Sequence, residues 1–127
     1  MAIDFSKNGS WTLKPVSSDL VKNDLKDMLA SGETLLLTAQ AAREFVVFTG
    51  KRVMVLDVQG ITGSRKSITS LPYSRVQYFS VRTPGFGELI PESELQLVFF
   101  GGYTAKFAFK GNIDIEKLTA AVAGQVL

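Results

Sequence analysis

Few residues in this chain could do chemistry. Glu88, Glu92 and Glu94 lie close together in sequence, and carboxylates so spaced can pair as general acid and base or hold a hard cation. The chain has no His and no Cys, so the imidazole and thiolate groups that serve most often as base, nucleophile and transition-metal ligand are absent. The three glutamates fall in a stretch with Pro84, Gly85, Gly87 and Pro91, and read as solvated carboxylates on an exposed loop. No catalytic, cofactor-binding or metal-ligating residue is assigned, and no enzyme is expected.

Two further patterns involve anions. In Gly60-Ile61-Thr62-Gly63-Ser64-Arg65-Lys66-Ser67, glycines bare backbone N–H groups next to two cations. The spacing misses G-x-x-x-x-G-K-[ST] and no helix pattern follows, so a plain loop between two strands is expected. Lys51, Arg52, Arg65 and Lys66 form the one set that could meet an anionic lipid headgroup, since the loop from Thr38 to Ala42 carries no cation and Arg43 stands alone beyond it. Adding Arg75 and Arg82 places six cations among Phe48, Tyr73, Tyr78 and Phe79, as a base-stacking sheet requires. However, Tyr78 shares the strand parity of Val76 and is expected in the core, and no RNP-type motif occurs. Nucleic acid is not the expected partner.

A chain of 127 residues with 46% apolar composition is one domain's worth and can bury a real core. Its mean hydropathy of +0.17 is high for a monomer and suggests surface covered by a neighbouring subunit. The net charge of +2 argues for no polyanionic partner. The charge is uneven: residues 33–82 hold seven Lys/Arg against three acids, and residues 83–127 three Lys against five acids. Without Cys there is no disulfide framework. The start MAIDFSKNGSW lacks a basic then apolar leader pattern and no run reaches membrane-spanning length, so a cytoplasmic location is expected.

Residues 1–16 lack a sustained period and read as an irregular arm ahead of a single domain over 17–127. Ser18 is the expected cap of a helix over 18–30, with Leu20, Val21, Leu25, Met28 and Leu29 as its apolar stripe. Strands are expected over about 33–38, 43–49, 52–58, 65–71, 75–82, 94–100 and 103–110. Gly50-Lys51 suggests a II′ hairpin turn and Gly101-Gly102 a I′ turn. Asn112 is the expected cap of a final helix over 112–126, whose Ile115, Leu118, Val122 and Val126 stripe would close the sheet. The hairpin of 43–49 and 52–58 is apolar on both faces: Phe45 and Val47 oppose Val46 and Phe48, and Val53 and Val55 oppose Met54 and Leu56. Both faces must therefore be covered. The fold class is mainly β, a seven-stranded antiparallel sandwich or partly open barrel with a C-terminal helix.

The runs FTGKR, DVQGITGSRK, SLPYSRVQYFSVRTPG, SELQLVFF and FKGNIDIEKL, with the lead-in DLKDMLASGE, resemble the bacterial pleckstrin-homology-like domain family over residues 24–127. The resemblance implies a curled seven-stranded sheet plugged by a C-terminal helix. It also implies a cyclic homo-oligomeric ring, for which a pentamer is the candidate size. The chain departs from the family's pattern at Arg82, at Pro84 and over Phe86 to Pro91, which is longer and more apolar than is usual there.

The expected function is a non-catalytic interaction module, a ring-forming scaffold or adaptor for a protein partner. The alternative is peripheral binding to anionic membrane or phosphoinositide near Lys51 and Arg65. Gln59, Thr62, Arg65 and Lys66 are the expected partner-facing residues. Val46, Phe48, Met54 and Leu56 are the expected oligomer interface.

Overall fold

The computed structural model describes residues 3–42, 44–59 and 65–127. The strands are β1 (Gly9–Pro15), β2 (Leu35–Ala41), β3 (Glu44–Thr49), β4 (Arg52–Gln59), β5 (Arg65–Pro72), β6 (Val76–Arg82), β7 (Glu92–Phe99) and β8 (Thr104–Lys110); the helices are α1 (Lys22–Leu25) and α2 (Ile115–Val126). They form one eight-stranded sheet in the order β5-β4-β3-β2-β1-β8-β7-β6.

The eighth strand is β1, where the sequence suggests an irregular arm. Trp11 and Leu13 point into the core while Ser10, Thr12 and Lys14 face out. Two alternating apolar positions are too few to show as a period. The partners are also distant: Gly9 to Leu13 run parallel to Ala105 to Phe109, and Lys14 and Pro15 then pair antiparallel with Gln40 and Ala39. One strand thus joins the two halves of the sheet. Gly9 is required at this seam because a Cβ there would stand 2.4 Å from the Tyr103 hydroxyl and 2.5 Å from the Trp11 ring.

The sheet curls, so strands that are not neighbours meet across the interior. Phe48 of β3 packs edge-on against Phe107 of β8 at 5.1 Å, and Phe107 stacks on Trp11 at 5.0 Å. From α2, Ile115, Leu118 and Val122 close the open end of this core. Asp114, rather than Asn112, caps that helix by accepting from the Lys117 N–H at 3.0 Å.

Other local differences have physical causes. Between β3 and β4 the Thr49 hydroxyl accepts from the N–H groups of Lys51 and Arg52, both at 3.1 Å. A side-chain acceptor holds this turn, and Gly50 does not take the positive φ that a II′ turn needs. By contrast, Gly101 and Gly102 both have positive φ, as the hairpin between β7 and β8 requires. Residues 38–41, expected in a loop, continue β2. A bulge between Val76 and Tyr78 breaks the alternation of β6, so Val76 is buried while Tyr78 is 59% exposed.

Instead of a helix over 18–30 the chain makes a 3-10 turn at Ser18–Leu20, capped by Ser17, and one turn of α1. Continuation is blocked. The Met28 N–H donates to the Leu25 carbonyl three residues back at 2.8 Å, and the Ala30 N–H donates to the Glu33 carboxylate at 2.8 Å, so donors that a longer α-helix would use are engaged elsewhere.

Replacing Trp11 with Ala should lower the unfolding free energy by about 3–5 kcal/mol, measured by denaturant titration followed by circular dichroism. A loss below about 1 kcal/mol would mean that β1 is a peripheral addition.

Candidate functional site

A network of side-chain hydrogen bonds converges on the tip of the β3–β4 hairpin. The Glu33 carboxylate, 1% exposed, receives both Arg52 Nε at 2.9 Å and a terminal Arg52 nitrogen at 3.0 Å. It also accepts from the Thr49 hydroxyl at 2.6 Å and the Ala30 N–H at 2.8 Å. Arg52 in turn bonds the Ser70 hydroxyl at 3.0 Å as well as the Met28 carbonyl. Below them the buried Tyr73 hydroxyl donates to the Thr49 carbonyl at 2.8 Å. Burial works to raise the Glu33 pKa, yet hydrogen bonds from Arg52, Thr49 and Ala30 and the Arg52 charge outweigh it and hold the carboxyl below its usual range. Burial, with the Glu33 charge adding to it, pushes the Tyr73 phenol well up. Every oxygen is engaged in holding the chain, so this network is a latch and not a reactive centre.

The latch fastens residues 17–33 over the outer face of the hairpin. There Val21 and Leu25 pack on Val47, Met54 and Leu56. Beside the latch, a groove of about 440 Å³ runs between Met28, Lys51, Arg52 and Gln125.

The expected interface residues are corrected by this arrangement. Val46 and Phe48 belong to the central core and Met54 and Leu56 to the outer cluster. Val46 pairs with Val55 and Val47 with Met54, so the four lie on opposite faces, and all are fully buried within the protomer. The cover that composition suggested would come from a neighbour is supplied by the chain's own N-terminal segment.

Of the expected partner-facing residues, Gln59 ends β4 in register with Arg65, which is exposed at the start of β5. Thr62 lies outside the described residues, as does the glycine-bearing loop of 60–64. Lys66 is ion-paired with Asp24 of α1, a second tie on the N-terminal segment. The four cations of the lipid-headgroup set do not cluster. Arg52 is opposite Pro72 and Gln59 opposite Arg65, so Arg52 and Arg65 lie at opposite ends of the ladder, about 24 Å apart at 3.4 Å per residue. Arg52 and Lys66 are moreover neutralised by Glu33 and Asp24.

The acidic trio is likewise in structural use. Glu88 accepts from the N–H groups of Gly85 at 2.8 Å and Glu92 at 3.2 Å, which folds the loop 83–91 on itself. Glu92 and Glu94 each lie 3.5 Å from Arg82, and Lys106 lies 3.6 Å from Glu94. No group of three or more metal-ligating side chains occurs among the described residues. No helix among them is long and apolar enough to cross a membrane.

What the sequence did not reveal is the exposure of Val81 on β6 together with Phe86, Leu89 and Ile90 in the following loop, while Tyr78 is exposed on the other face of β6. Next to them a groove of about 320 Å³ lies between β6 and α2, walled by Phe79, Val81, Ile115, Ala120 and Ala123. Neighbouring loop hydrophobics were the available signal, but the groove needs the bulge in β6 and the docking of α2.

Replacing Glu33 with Gln should destabilise the protein at neutral pH by about 3 kcal/mol, because Arg52 loses its counter-charge in a largely buried site. The folded-state pKa of Glu33 is depressed, so its contribution is complete above the ordinary carboxylate range and is lost as pH falls through the folded value. Denaturation series run from neutral pH to about pH 3 should therefore show the gap between wild type and variant narrowing on acidification. A gap independent of pH would mean the charge is immaterial.

The Bacterial PH domain family model matches residues 6–126. The chain is 35% identical over 112 residues to the uncharacterized protein YjqA of Bacillus subtilis (strain 168), covering 84% of this chain and 88% of that one. It resembles a DUF1696 family protein with a pleckstrin-homology domain from Shewanella loihica PV-4, with TM-score 0.64, 27% identity and coverage of 92% of this chain and 99% of that chain. A pleckstrin homology domain from Shewanella amazonensis SB2B is similar with TM-score 0.56 and 29% identity, over 88% and 90% of the two chains. The curled sheet, its C-terminal plug and a family match that takes in the seam strand β1 agree, and the chain belongs to the bacterial PH domain family.

Proposed function

We propose that this chain is a non-catalytic interaction module that assembles with copies of itself into a closed ring, the ring serving as a scaffold for a protein partner. The observation that carries this reading is the run of exposed apolar side chains at the end of β6 and in the loop after it, Val81, Phe86, Leu89 and Ile90. Exposed apolar side chains gathered in one segment mark association sites. The titratable groups that could do chemistry are engaged elsewhere: Glu33, Glu88, Glu92 and Glu94 all hold structural contacts. A ring would also multiply weak contacts with a partner through avidity. Gln59, Thr62, Arg65 and Lys66 are the proposed partner-facing set, with Lys66 shared with Asp24.

Peripheral binding to anionic membrane near Lys51 and Arg65 has less support. The two cations stand at opposite ends of the β4–β5 ladder and the residues beside them are already paired.

Light scattering on a sizing column, at two protein and two salt concentrations, should give a discrete oligomer that resists salt, because its contact is apolar. A monomer under all four conditions would overturn the assembly reading. Sedimentation with vesicles rich in anionic lipid should leave the protein in the supernatant.

A further inference from the structure

Residues 17–33 are held to the molecule differently from the rest of the chain. The segment leaves β1 and re-enters β2, and these strands pair at Lys14–Gln40 and Pro15–Ala39, so it connects neighbours in the sheet. The chain on either side of it is fixed: the Val16 N–H donates to the Thr38 carbonyl at 3.0 Å and the Gly50 N–H to the Thr34 carbonyl at 3.2 Å. Between those points the backbone hydrogen bonds among the described residues are local, as from Leu25 to Val21, Lys26 to Lys22 and Glu33 to Ala30. Lifting the segment therefore breaks no strand pairing.

Side chains hold it down. Its buried apolar residues are Val21 and Leu25, packed on Val47, Met54 and Leu56. Arg52 reaches both the Glu33 carboxylate and the Met28 carbonyl, and Lys66 reaches Asp24 in a part-exposed pair that salt weakens. Closure also carries a cost. Thr38 is in register with Val47 and shares its face, and the Thr38 hydroxyl is buried there with no hydrogen-bond partner among the described residues. Water satisfies that hydroxyl once the face is uncovered. A segment with few buried apolar side chains and only local backbone bonds falls at the low end of a protein's range of opening free energies. From these observations we infer that residues 17–33 form a flap that lifts from the hairpin as one unit while the eight-stranded sheet stays folded, with the Glu33–Arg52 pair as its catch. Open, the flap uncovers Val47, Met54 and Leu56 and releases the Arg52 guanidinium. This second apolar face is shut at rest and lies apart from the exposed side chains after β6.

The catch responds to acid. Glu33 faces Arg52 on β4, Lys51 in the hairpin turn, Lys22 and Lys26 of the α1 region, Asp27 just beyond it and the Tyr73 phenol below. The carboxyl is held below its usual range, so the catch is complete above that range and fails as pH falls through the folded value.

The chain has no Cys, so one introduced thiol reports on its own site. Met54→Cys lies under the flap, and Val55→Cys, its neighbour on β4, faces the central core. Each full-length variant is reacted with excess dithiodipyridine, and its rate is divided by that of the same chain in denaturant at the same pH. Met54→Cys should react at least about a hundredfold faster than Val55→Cys, and faster still on acidification to about pH 3. Adding Glu33→Gln should raise the Met54→Cys rate at neutral pH by about a hundredfold and flatten its rise with acid. Equal normalised rates at the two positions would mean that the flap opens only when the whole protein unfolds, and a Met54→Cys rate unmoved by Glu33→Gln would mean that the pair is not its catch; either result overturns the inference. Hydrogen exchange of the unmodified chain repeats the test without substitutions. The amides of Leu25, Lys26 and Met28 should share one protection factor, at least about tenfold below those of β3 and β4. A single protection factor common to the flap and to both strands would contradict the flap.

Discussion

The hairpin of β3 and β4 is apolar on both faces, and that constraint organises the rest of the chain. Its inner face, with Val46, Phe48, Val53 and Val55, requires a core opposite, which the curl of the sheet supplies through Phe107 and Phe109 of β8. Its outer face, with Val47, Met54 and Leu56, needs a separate cover. Val21 and Leu25 provide it, each such side chain contributing roughly 1.5–3 kcal/mol on burial. A cover of one 3-10 turn and one turn of helix cannot stand alone, since helices this short are unstable in water. It is therefore pinned by the Glu33–Arg52 pair at its C-terminal end and by Lys66 and Asp24 at α1.

That fastening redistributes the molecule's charge and its apolar surface. Arg52 and Lys66, which look in sequence like half of an anion-binding cluster, are neutralised by Glu33 and Asp24 of the cover. The centre of the chain is basic by count and much less so by available charge. With the outer face of the hairpin covered within the chain, exposed apolar side chains remain at several places, among them Leu20 and Met28 on the cover, Phe100 in the β7–β8 turn, and Val81, Phe86, Leu89 and Ile90 along β6 and its following loop. Self-association, where it occurs, has the last of these to use.

Much of this fold was legible because hairpins announce themselves locally. The Gly101-Gly102 turn, the two-faced β3–β4 run and the stripe of α2 each depend on residues within a dozen positions of one another. β1 escaped because its main partner is parallel and nearly a hundred residues distant, so that no turn signal accompanies it. The helix expected over 18–30 failed because its stripe was real but the Ala30 N–H is taken by the Glu33 carboxylate and the Met28 N–H turns to the Leu25 carbonyl, an override of the local pattern. Tyr78 was misplaced by a bulge, which shifts parity without any mark in the sequence. The site was less legible than the fold for the same reason. Strand alternation identified the two faces of the hairpin, but assigning Val46 and Phe48 together with Met54 and Leu56 to one interface requires a register the sequence does not carry.

Hydrogen–deuterium exchange of the intact protein at concentrations above and below its dissociation range tests most directly which apolar surface is covered from within and which by a neighbour. The account predicts that dilution speeds exchange in β6 and the loop 83–91 while β3, β4 and residues 17–33 exchange at unchanged rates. Faster exchange on dilution in β3, β4 and residues 17–33, with the β6 edge unaffected, would contradict it.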